Sequence, residues 1–273
     1  PGKTVGREAM GAVHHLLLGH GLAIQAMREG PSGTLGLTLN LSSVRAASGS
    51  SQDQEAARRL DGLSNRLFLD PVLLGRYPDD VLQNAGVTEW FEQMGDDLAV
   101  IAAPIDFMGV NYYTRHTVAG PEDAVFHGPT IIGPGGAEEI RDIETGAPKT
   151  QMGWEVHPDG LIDVVRLVSD RAPSLPVYIT ENGAAYPDEV TAQGAVDDED
   201  RRQFFELHLD AAREAIDQGL PLRGYFAWSL LDNFEWAFGY SRRFGIVYVD
   251  YDTQQRIVKR SGHWFRDRLQ VVP

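Results

Sequence analysis

Short apolar runs alternate with longer amphipathic stretches along the 273 residues of the chain. Runs of strand-forming residues predict four β-strands, at 34–40, 105–113, 176–180 and 222–228. Amphipathic stretches predict helices at about 7–29, 53–69, 88–101, 158–171, 197–219 and 261–269. In the fourth of these helices the apolar residues share one face: Leu161, Val164, Val165 and Val168. Strands that alternate with helices indicate parallel β/α units.

Each predicted strand ends in polar or aromatic residues, namely Asn40, then Asn111 with Tyr113, then Glu181 with Asn182, and finally Trp228. In a (β/α)8 barrel, the carboxyl ends of the strands form the face that carries the active site. Four units cannot close an eight-stranded barrel, so the pattern predicts an α/β chain that forms half of a TIM barrel. A smaller open α/β sheet is the alternative. It would need glycine-rich phosphate-binding turns, and the sequence contains no G-x-G-x-x-G motif.

The composition describes a globular chain, with 42% hydrophobic and 9% aromatic residues. Twenty-four basic and thirty-nine acidic residues give a formal net charge of −15, which disfavours nucleic acid and anionic membranes as partners. The sequence has no cysteine. It therefore has no disulfide, no thiolate metal site and no cysteine nucleophile, and a cytoplasmic location is expected.

The first residues resemble the inside of a domain rather than its beginning. Pro1-Gly2-Lys3-Thr4 shows no initiator Met, no signal-peptide pattern and no strand, and a long predicted helix follows directly. We therefore expect residues 1–273 to be one catalytic-domain fragment that lacks its N-terminal half, which leaves secretion open. A Gly/Pro-rich stretch at 119–150, with Gly133-Pro134-Gly135-Gly136, is expected to be a functional loop.

Glu181 is the strongest candidate for catalysis, because it follows the strand residues 177–180 and precedes Asn182-Gly183. A second segment, Trp228 to Trp236, places two Trp, one Phe and two acids within nine residues. Aromatic rings stack on the apolar face of a pyranose and carboxylates bind its hydroxyls, so this segment is typical of sugar sites. A core cluster with incidental acids is the alternative. Phe244 is expected to extend the aromatic wall.

Five segments of the sequence resemble the signatures of glycoside hydrolase family 1 β-glucosidases. Ile179-Thr180-Glu181-Asn182-Gly183 and Trp228–Trp236, followed by Gly239–Gly245, resemble its strongest motifs. Asp106–Thr114, Met152-Gly153-Trp154-Glu155 and Gly36–Asn40 resemble its sixth-strand, +1-side and fifth-strand segments. The resemblance runs almost end to end, and it implies the C-terminal half of a (β/α)8 TIM barrel, with strands 5–8 and their helices.

The resemblance implies a role for each matching residue around the reacting bond. Glu181 would be the nucleophile that forms a glycosyl-enzyme ester. Tyr113 would hydrogen-bond to its carboxylate, and Asn111 would line the same pocket. Trp228 would form the floor under the sugar in the −1 subsite.

Further substrate-binding residues follow from the same resemblance. Glu235 would bind the 4- and 6-hydroxyls, with Trp236 beside it on the 3- and 4-hydroxyl side. Trp154 would stack on the aglycone. Family members that act on 6-phosphorylated sugars have a serine in place of Glu235, so an unphosphorylated substrate is implied, either a β-glucoside or a cello-oligosaccharide.

The family's acid/base is the Glu of a T-x-N-E-P motif, and this sequence contains no such motif. Thr38-Leu39-Asn40 begins like it but continues Leu41-Ser42. We therefore expect a retaining β-glucosidase, acting on terminal non-reducing β-D-glucosyl residues by double displacement, whose isolated C-terminal half is inactive. The N-terminal half of the same barrel is the expected partner.

The sequence disfavours three alternative interpretations. A non-catalytic half-barrel, either a sugar binder or an assembly subunit, would have no need of Glu181. An aldolase-type barrel would need a Schiff-base lysine at a strand end, and Lys3, Lys149 and Lys259 are not expected to end strands. A metal site at His14, His15 and His20 lacks a carboxylate at ligand spacing, so neither metal nor cofactor is expected.

Overall fold

The computed structural model describes residues 6–31, 33–121 and 139–270. The opening residues Pro1–Thr4 and the glycine-rich Gly133–Gly136 lie outside the described residues. None of the described helices is long and apolar enough to cross a membrane.

The strands, in chain order, are β1 Gly36–Asn40, β2 Ser43–Ala46, β3 Phe107–Asn111, β4 Arg115–Ala119, β5 Arg141–Asp142, β6 Val177–Asn182, β7 Leu222–Ala227, β8 Val247–Val249 and β9 Arg256–Val258. The helices are α1 Gly6–Arg28, α2 Ser51–Asp61, α3 Leu67–Leu74, α4 Asp79–Asn84, α5 Thr88–Glu92, α6 Asp97–Ile101, α7 Asp159–Ser169, α8 Glu199–Asp217 and α9 Arg260–Gln270.

The four predicted strands form one parallel sheet, in the order β1-β3-β6-β7. The prediction of parallel β/α units is therefore confirmed. Because the strands are parallel, their carboxyl ends meet at a single edge of the sheet, and the residues that follow them converge there.

The two faces of the sheet differ in what covers them. Alternate residues such as Val110 and Ile179 are fully buried in the main apolar core, where α7 also places its predicted apolar stripe. The opposite face carries Phe107, Tyr178 and Phe226 around a cavity of about 390 Å³. Phe226 is 59% exposed, so this second face is open to solvent in the described part of the chain.

Five short strands were not predicted. The strands β2, β4 and β5 form a three-stranded sheet next to the main one, and β8 with β9 forms an antiparallel pair. They are two to five residues long and mix polar with apolar positions. Such segments lack the regular alternation that predicts a strand.

Two predicted helices are interrupted. The helix expected at 53–69 is α2 followed by a π-helical turn, Gly62–Arg66, and then α3. At Gly62 an added Cβ would lie 2.6 Å from the side chain of Val81, so the tight approach of α4 requires glycine there. The helix expected at 88–101 is divided into α5 and α6 by residues 93–96, which include Gly95.

The expectation that no lysine ends a strand is wrong for Lys259, which directly follows β9. That strand lies in the antiparallel pair and not in the main parallel sheet. The Lys259 ammonium is fully buried in contact with Asp188 and Asp232. Burial lowers the pKa of Lys259 although the two carboxylates act in the opposite direction. The enclosed side chain leaves no room for a carbonyl substrate to reach the amine, which argues against a Schiff-base role.

Candidate active site

A pocket of about 680 Å³ lies at the carboxyl edge of the parallel sheet. All eight predicted site residues line it, together with three others: Asn40, Asn111, Tyr113, Trp154, Glu181, Trp228, Asn233, Phe234, Glu235, Trp236 and Phe244. The structure therefore brings together residues that are up to 204 positions apart in the chain. The carboxyl ends of the four parallel strands, with Asn40, Asn111, Glu181 and Trp228, meet at this edge.

Glu181 lies near the end of β6 and Tyr113 lies two residues after β3, the neighbouring strand. The Tyr113 hydroxyl donates a hydrogen bond to Oε2 of Glu181 at 2.6 Å. Burial, together with this bond to the carboxylate, raises the pKa of Tyr113 well above its usual range. The phenol therefore remains a donor across the physiological pH range and keeps the carboxylate in place.

The end of β6 is fixed from both neighbouring strands. Thr180 donates to Oδ1 of Asn111 at 2.8 Å, so this pocket residue is itself held. Asn182, fully buried, donates to the backbone oxygen of Tyr112 at 2.7 Å and accepts from the Tyr225 hydroxyl at 2.5 Å. Glu181 is thus presented by a rigid strand end rather than by a free loop.

The glycine after Asn182 has a steric reason. An added Cβ at Gly183 would lie 1.7 Å from the backbone oxygen of Trp228, so the chain after β6 passes directly against the chain after β7. This close approach brings the Glu181 strand end next to the segment that carries Trp228 and Glu235.

Glu235 is the second carboxyl group of the described residues that lines this pocket. Its backbone N–H donates to the Gly239 oxygen at 2.7 Å, which closes a tight turn around Trp236. Burial, together with the negative charge of Glu181, raises the pKa of the Glu235 carboxyl. Trp236 is 82% exposed, so its ring is available to a ligand at the pocket mouth.

Aromatic rings form one wall of the pocket. The Trp154 ring centroid lies 5.4 Å from that of Tyr113 and 6.4 Å from that of Phe244. Phe244 lines the pocket with them but is only 2% exposed. Phe244 therefore packs within this wall, while the partly buried rings of Trp154 and Tyr113 present more surface to the pocket.

Asn40, Asn233 and Phe234 line the pocket but were not among the predicted site residues. Asn40 ends β1 and belongs to the four strand ends that the sequence places on the active-site face, and this position was a sufficient signal to include it in the site. Asn233 and Phe234 lie within the acid-rich aromatic segment that predicted the sugar site. The described residues contain no group of three or more His, Asp or Glu arranged to hold a metal ion.

Comparison with known proteins places the sequence among glycosidases. The family model "Glycosyl hydrolase family 1" matches residues 1–271. The chain is 43% identical over 274 residues to a bifunctional β-D-glucosidase/β-D-fucosidase from Bifidobacterium breve, and the match covers 97% of this chain and 58% of that protein.

Solved structures give the same result. A psychrophilic β-glucosidase from Micrococcus antarcticus matches with a TM-score of 0.91 and 44% identity, over 99% of this chain and 60% of that one. A family 1 β-glucosidase from Thermotoga maritima matches with a TM-score of 0.85 and 42% identity, over 95% of this chain and 56% of that one. The chain thus spans between half and two thirds of the length of these relatives.

Proposed function

The chain belongs to glycosyl hydrolase family 1, and on this basis we propose that it carries the nucleophile and most of the sugar subsite of a retaining β-glycosidase. The observation that supports the proposal most directly is the hydrogen bond from Tyr113 to Glu181 at the carboxyl edge of the sheet. A carboxylate fixed at a strand end, facing a pocket with Trp154, Trp228 and a second carboxyl group, is suited to attack on a bound sugar.

The reaction would proceed in two displacements. In the first, an oxygen of Glu181 attacks the anomeric carbon and the bond to the aglycone oxygen breaks. A second carboxyl group, the acid/base, protonates that oxygen as it leaves. In the second, the same group, now a base, removes a proton from water, which attacks the anomeric carbon and releases Glu181. The two carboxyl groups of a retaining glycosidase stand about 5–5.5 Å apart.

We assign the acid/base role to a segment beyond this chain. The family motif T-x-N-E-P is absent from the sequence. The second carboxyl group of the pocket, Glu235, matches the family position that binds hydroxyls. Its pKa is raised by burial and by Glu181. A carboxylate oxygen accepts hydrogen bonds from sugar hydroxyls, which suits that binding role.

The complementary part of the barrel is the proposed partner. In the described sheet, β1 and β7 each have one neighbouring strand, and the face that carries Phe107, Tyr178 and Phe226 is open. An open sheet edge and an apolar face both favour association with further strands. We propose that residues 1–273 form the C-terminal half of a (β/α)8 barrel whose other half covers this face and supplies the acid/base.

The proposed substrates are terminal, unphosphorylated β-D-glucosides, including cello-oligosaccharides. The retention of Glu235 supports the absence of a 6-phosphate, because two negative charges would repel at that position. The names of the relatives support glucosides, and that of the Bifidobacterium breve protein adds fucosides. A cytoplasmic location stays a prediction.

The proposal is tested by trapping the ester. Residues 1–273 are co-expressed with the part of the Bifidobacterium breve relative that lies outside the match, and the product is referred to below as the reconstituted enzyme. A 2-deoxy-2-fluoro aryl β-glucoside slows the second displacement, so the glycosyl-enzyme accumulates and its labelled peptide can be identified by mass spectrometry. We expect the label on Glu181. Binding of the sugar without any covalent label would favour the alternative of a non-catalytic sugar binder.

A further inference from the structure

Five fully buried charged side chains form a cluster behind the pocket, and none of them lines it. We name this the buried ion cluster; its members are Asp188, Asp198, Arg201, Asp232 and Lys259. Every one of these side chains is at most 1% exposed. They come from four segments: the loop after β6, the start of α8, the segment after β7 and the residue before α9.

Lys259 is the link between the two loops that approach the pocket. Its ammonium donates to Oδ2 of Asp188 at 2.5 Å and to Oδ1 of Asp232 at 2.8 Å. Asp188 lies seven residues after Glu181, and Asp232 lies three residues before Glu235. One ammonium therefore joins the loop that follows the nucleophile candidate to the loop that carries the second pocket carboxyl group.

Arg201 supports the first of these loops. It donates two hydrogen bonds of 2.9 Å to the two carboxylate oxygens of Asp188 and pairs with Asp198. It also donates to the backbone oxygen of Ala184 at 3.1 Å, three residues after Glu181. The backbone just beyond Glu181 is thus fixed by a guanidinium in addition to the strand.

Asp232 supports the second loop. Its carboxylate accepts from the backbone N–H of Gly245 at 2.9 Å and from the Arg243 guanidinium at 2.6 Å. An added Cβ at Gly245 would lie 2.2 Å from the backbone nitrogen of Asp232, so the two chains are in close contact. The segment that carries Glu235 is therefore fixed through its middle residue.

Stability alone is a poor reason for such a cluster. Burying charges carries a large desolvation penalty, and apolar residues of similar volume often stabilise a fold as well or better. Directional ion pairs define relative positions more narrowly than apolar contacts do. The geometry points to Asp232 and Lys259 as positioning residues, which set the location of Glu235 relative to Glu181. This inference rests on the proposed function, because the position matters only if both groups bind one sugar.

The first test separates affinity from turnover. In the reconstituted enzyme, Asp232→Asn is expected to raise KM for an aryl β-glucoside by about 10-fold and to change kcat by less than about threefold, since ground-state contacts are displaced. Asp70→Asn is the matched control. Asp70 pairs with Arg171 at 2.5 Å, is also nearly buried, and lies away from the pocket. It should lower stability without a change in KM.

A double variant that preserves the net charge of the buried ion cluster controls for misfolding caused by an unpaired buried charge. The double variant Asp232→Asn/Lys259→Met removes one charge of each sign, so the cluster keeps its net charge, and it should show the same rise in KM. The outcome that would overturn the inference is a KM equal to that of the wild type in a folded single or double variant.

A double-mutant cycle tests whether the effect passes through Glu235. If Asp232 acts by placing Glu235, the effects of substituting the two residues on KM should not be additive, because both act through the Glu235 contact with the sugar. In a Glu235→Gln background, Asp232→Asn should therefore raise KM by less than about threefold. Full additivity would refute the inference. The proposed function is judged separately, since it requires only that the wild-type reconstituted enzyme be labelled on Glu181 by the fluoro-glycoside.

Discussion

The hydroxyl oxygen of Tyr113 lies 2.6 Å from Oε2 of Glu181, on the carboxyl edge of two adjacent parallel strands. Because the pKa of Tyr113 is raised by burial and by this contact, the phenol keeps its proton at neutral pH and donates a hydrogen bond to the carboxylate. Glu181 itself lines the pocket. The hydrogen bond from Tyr113 is therefore the contact that most directly fixes the orientation of the Glu181 carboxylate.

Removal of this donor is the first prediction. A hydrogen bond to a charged group contributes about 1.5–3 kcal/mol. Tyr113→Phe in the reconstituted enzyme should therefore lower kcat/KM for an aryl β-glucoside by about 10–100-fold. Tyr178→Phe is the control, because Tyr178 is on the same sheet but lines the cavity on the open face instead. Equal losses in the two variants would show that Tyr113 has no special role at Glu181.

The identity of the nucleophile gives a stereochemical prediction. Glu181→Ala should abolish most of the turnover of the reconstituted enzyme, and azide, which fits the space left by the carboxylate, should restore product formation. Azide would attack once, with inversion, so the product from a β-glucoside should be the α-glycosyl azide. A β-glycosyl azide, identified by NMR, would instead assign Glu181 to the acid/base role.

The main sheet and the location of the site could be predicted because they depend on local patterns. Each long strand is an apolar run that ends in a polar residue, as at Asn40 and Glu181, and parallel strands bring those ends together. The π-helical turn at Gly62 could not be predicted, since it depends on the approach of Val81 from another helix. Tertiary contacts of this kind override helix periodicity.

The buried ion cluster was also beyond prediction from sequence. Asp188, Asp232 and Lys259 are separated by 44 and 27 positions, and each alone resembles a surface charge. The sequence pattern around Lys259 predicts neither a strand nor a buried position for it. Its burial follows from the β8–β9 pair, whose three-residue strands gave no pattern in the sequence.

Glu235 leads to a prediction about substrate specificity. If its carboxyl group binds the 4- and 6-hydroxyls, Glu235→Gln should lower kcat/KM for β-glucosides by about 10–100-fold, since hydrogen bonds to a charged group contribute about 1.5–3 kcal/mol. A 6-deoxy-β-glucoside lacks one of the two hydroxyls, so Glu235→Gln should lower kcat/KM less for this substrate than for a β-glucoside. The comparison of the two substrates in wild type and variant is the measurement, and equal losses would remove the 6-hydroxyl from the interpretation.

His208 gives a prediction about stability and pH. Its ring is fully buried, stacks on Phe204 at 3.9 Å between centroids, and Nε2 has no hydrogen-bond partner among the described residues. Burial lowers the pKa of His208 to about 4. The folded state therefore holds the imidazole neutral at pH values where the unfolded state protonates it, near 6.5 and below.

Proton linkage gives the direction in which the free energy of unfolding changes with pH. Between pH 6.5 and 4 the unfolded state binds more protons at this group, so the free energy of unfolding should fall as the pH is lowered, by up to about 3 kcal/mol from His208 alone. Urea denaturation of the reconstituted enzyme at pH 7 and pH 4.5 measures this change in the free energy of unfolding. His208→Gln should flatten the pH dependence, and His263→Gln, at an exposed position, should leave it unchanged. An unchanged slope in His208→Gln would assign the acid sensitivity to other groups.

The last prediction concerns the chain by itself, and it follows from the open face of the sheet. Phe226 is 59% exposed there, over the cavity that Phe107 and Tyr178 also line. Burying an aromatic side chain stabilises an assembly by about 1.5–3 kcal/mol, so residues 1–273 should self-associate when expressed alone and bind the complementary half when it is present. Analytical ultracentrifugation of the two samples measures the association.

Activity should follow assembly, because the proposed acid/base is outside this chain. An aryl β-glucoside with a good phenolate leaving group needs little protonation, so it is the most permissive substrate for detecting any turnover by the chain alone. We expect no turnover above that of the Glu181→Ala chain, and turnover once the complementary half is added. The Glu181→Ala chain combined with the same half controls for activity contributed by that half. If the turnover of the purified wild-type chain alone matched that of the reconstituted enzyme, the acid would have to lie within residues 1–273. Glu235 would then become the first candidate for that role, because it is the other carboxyl group at the described pocket.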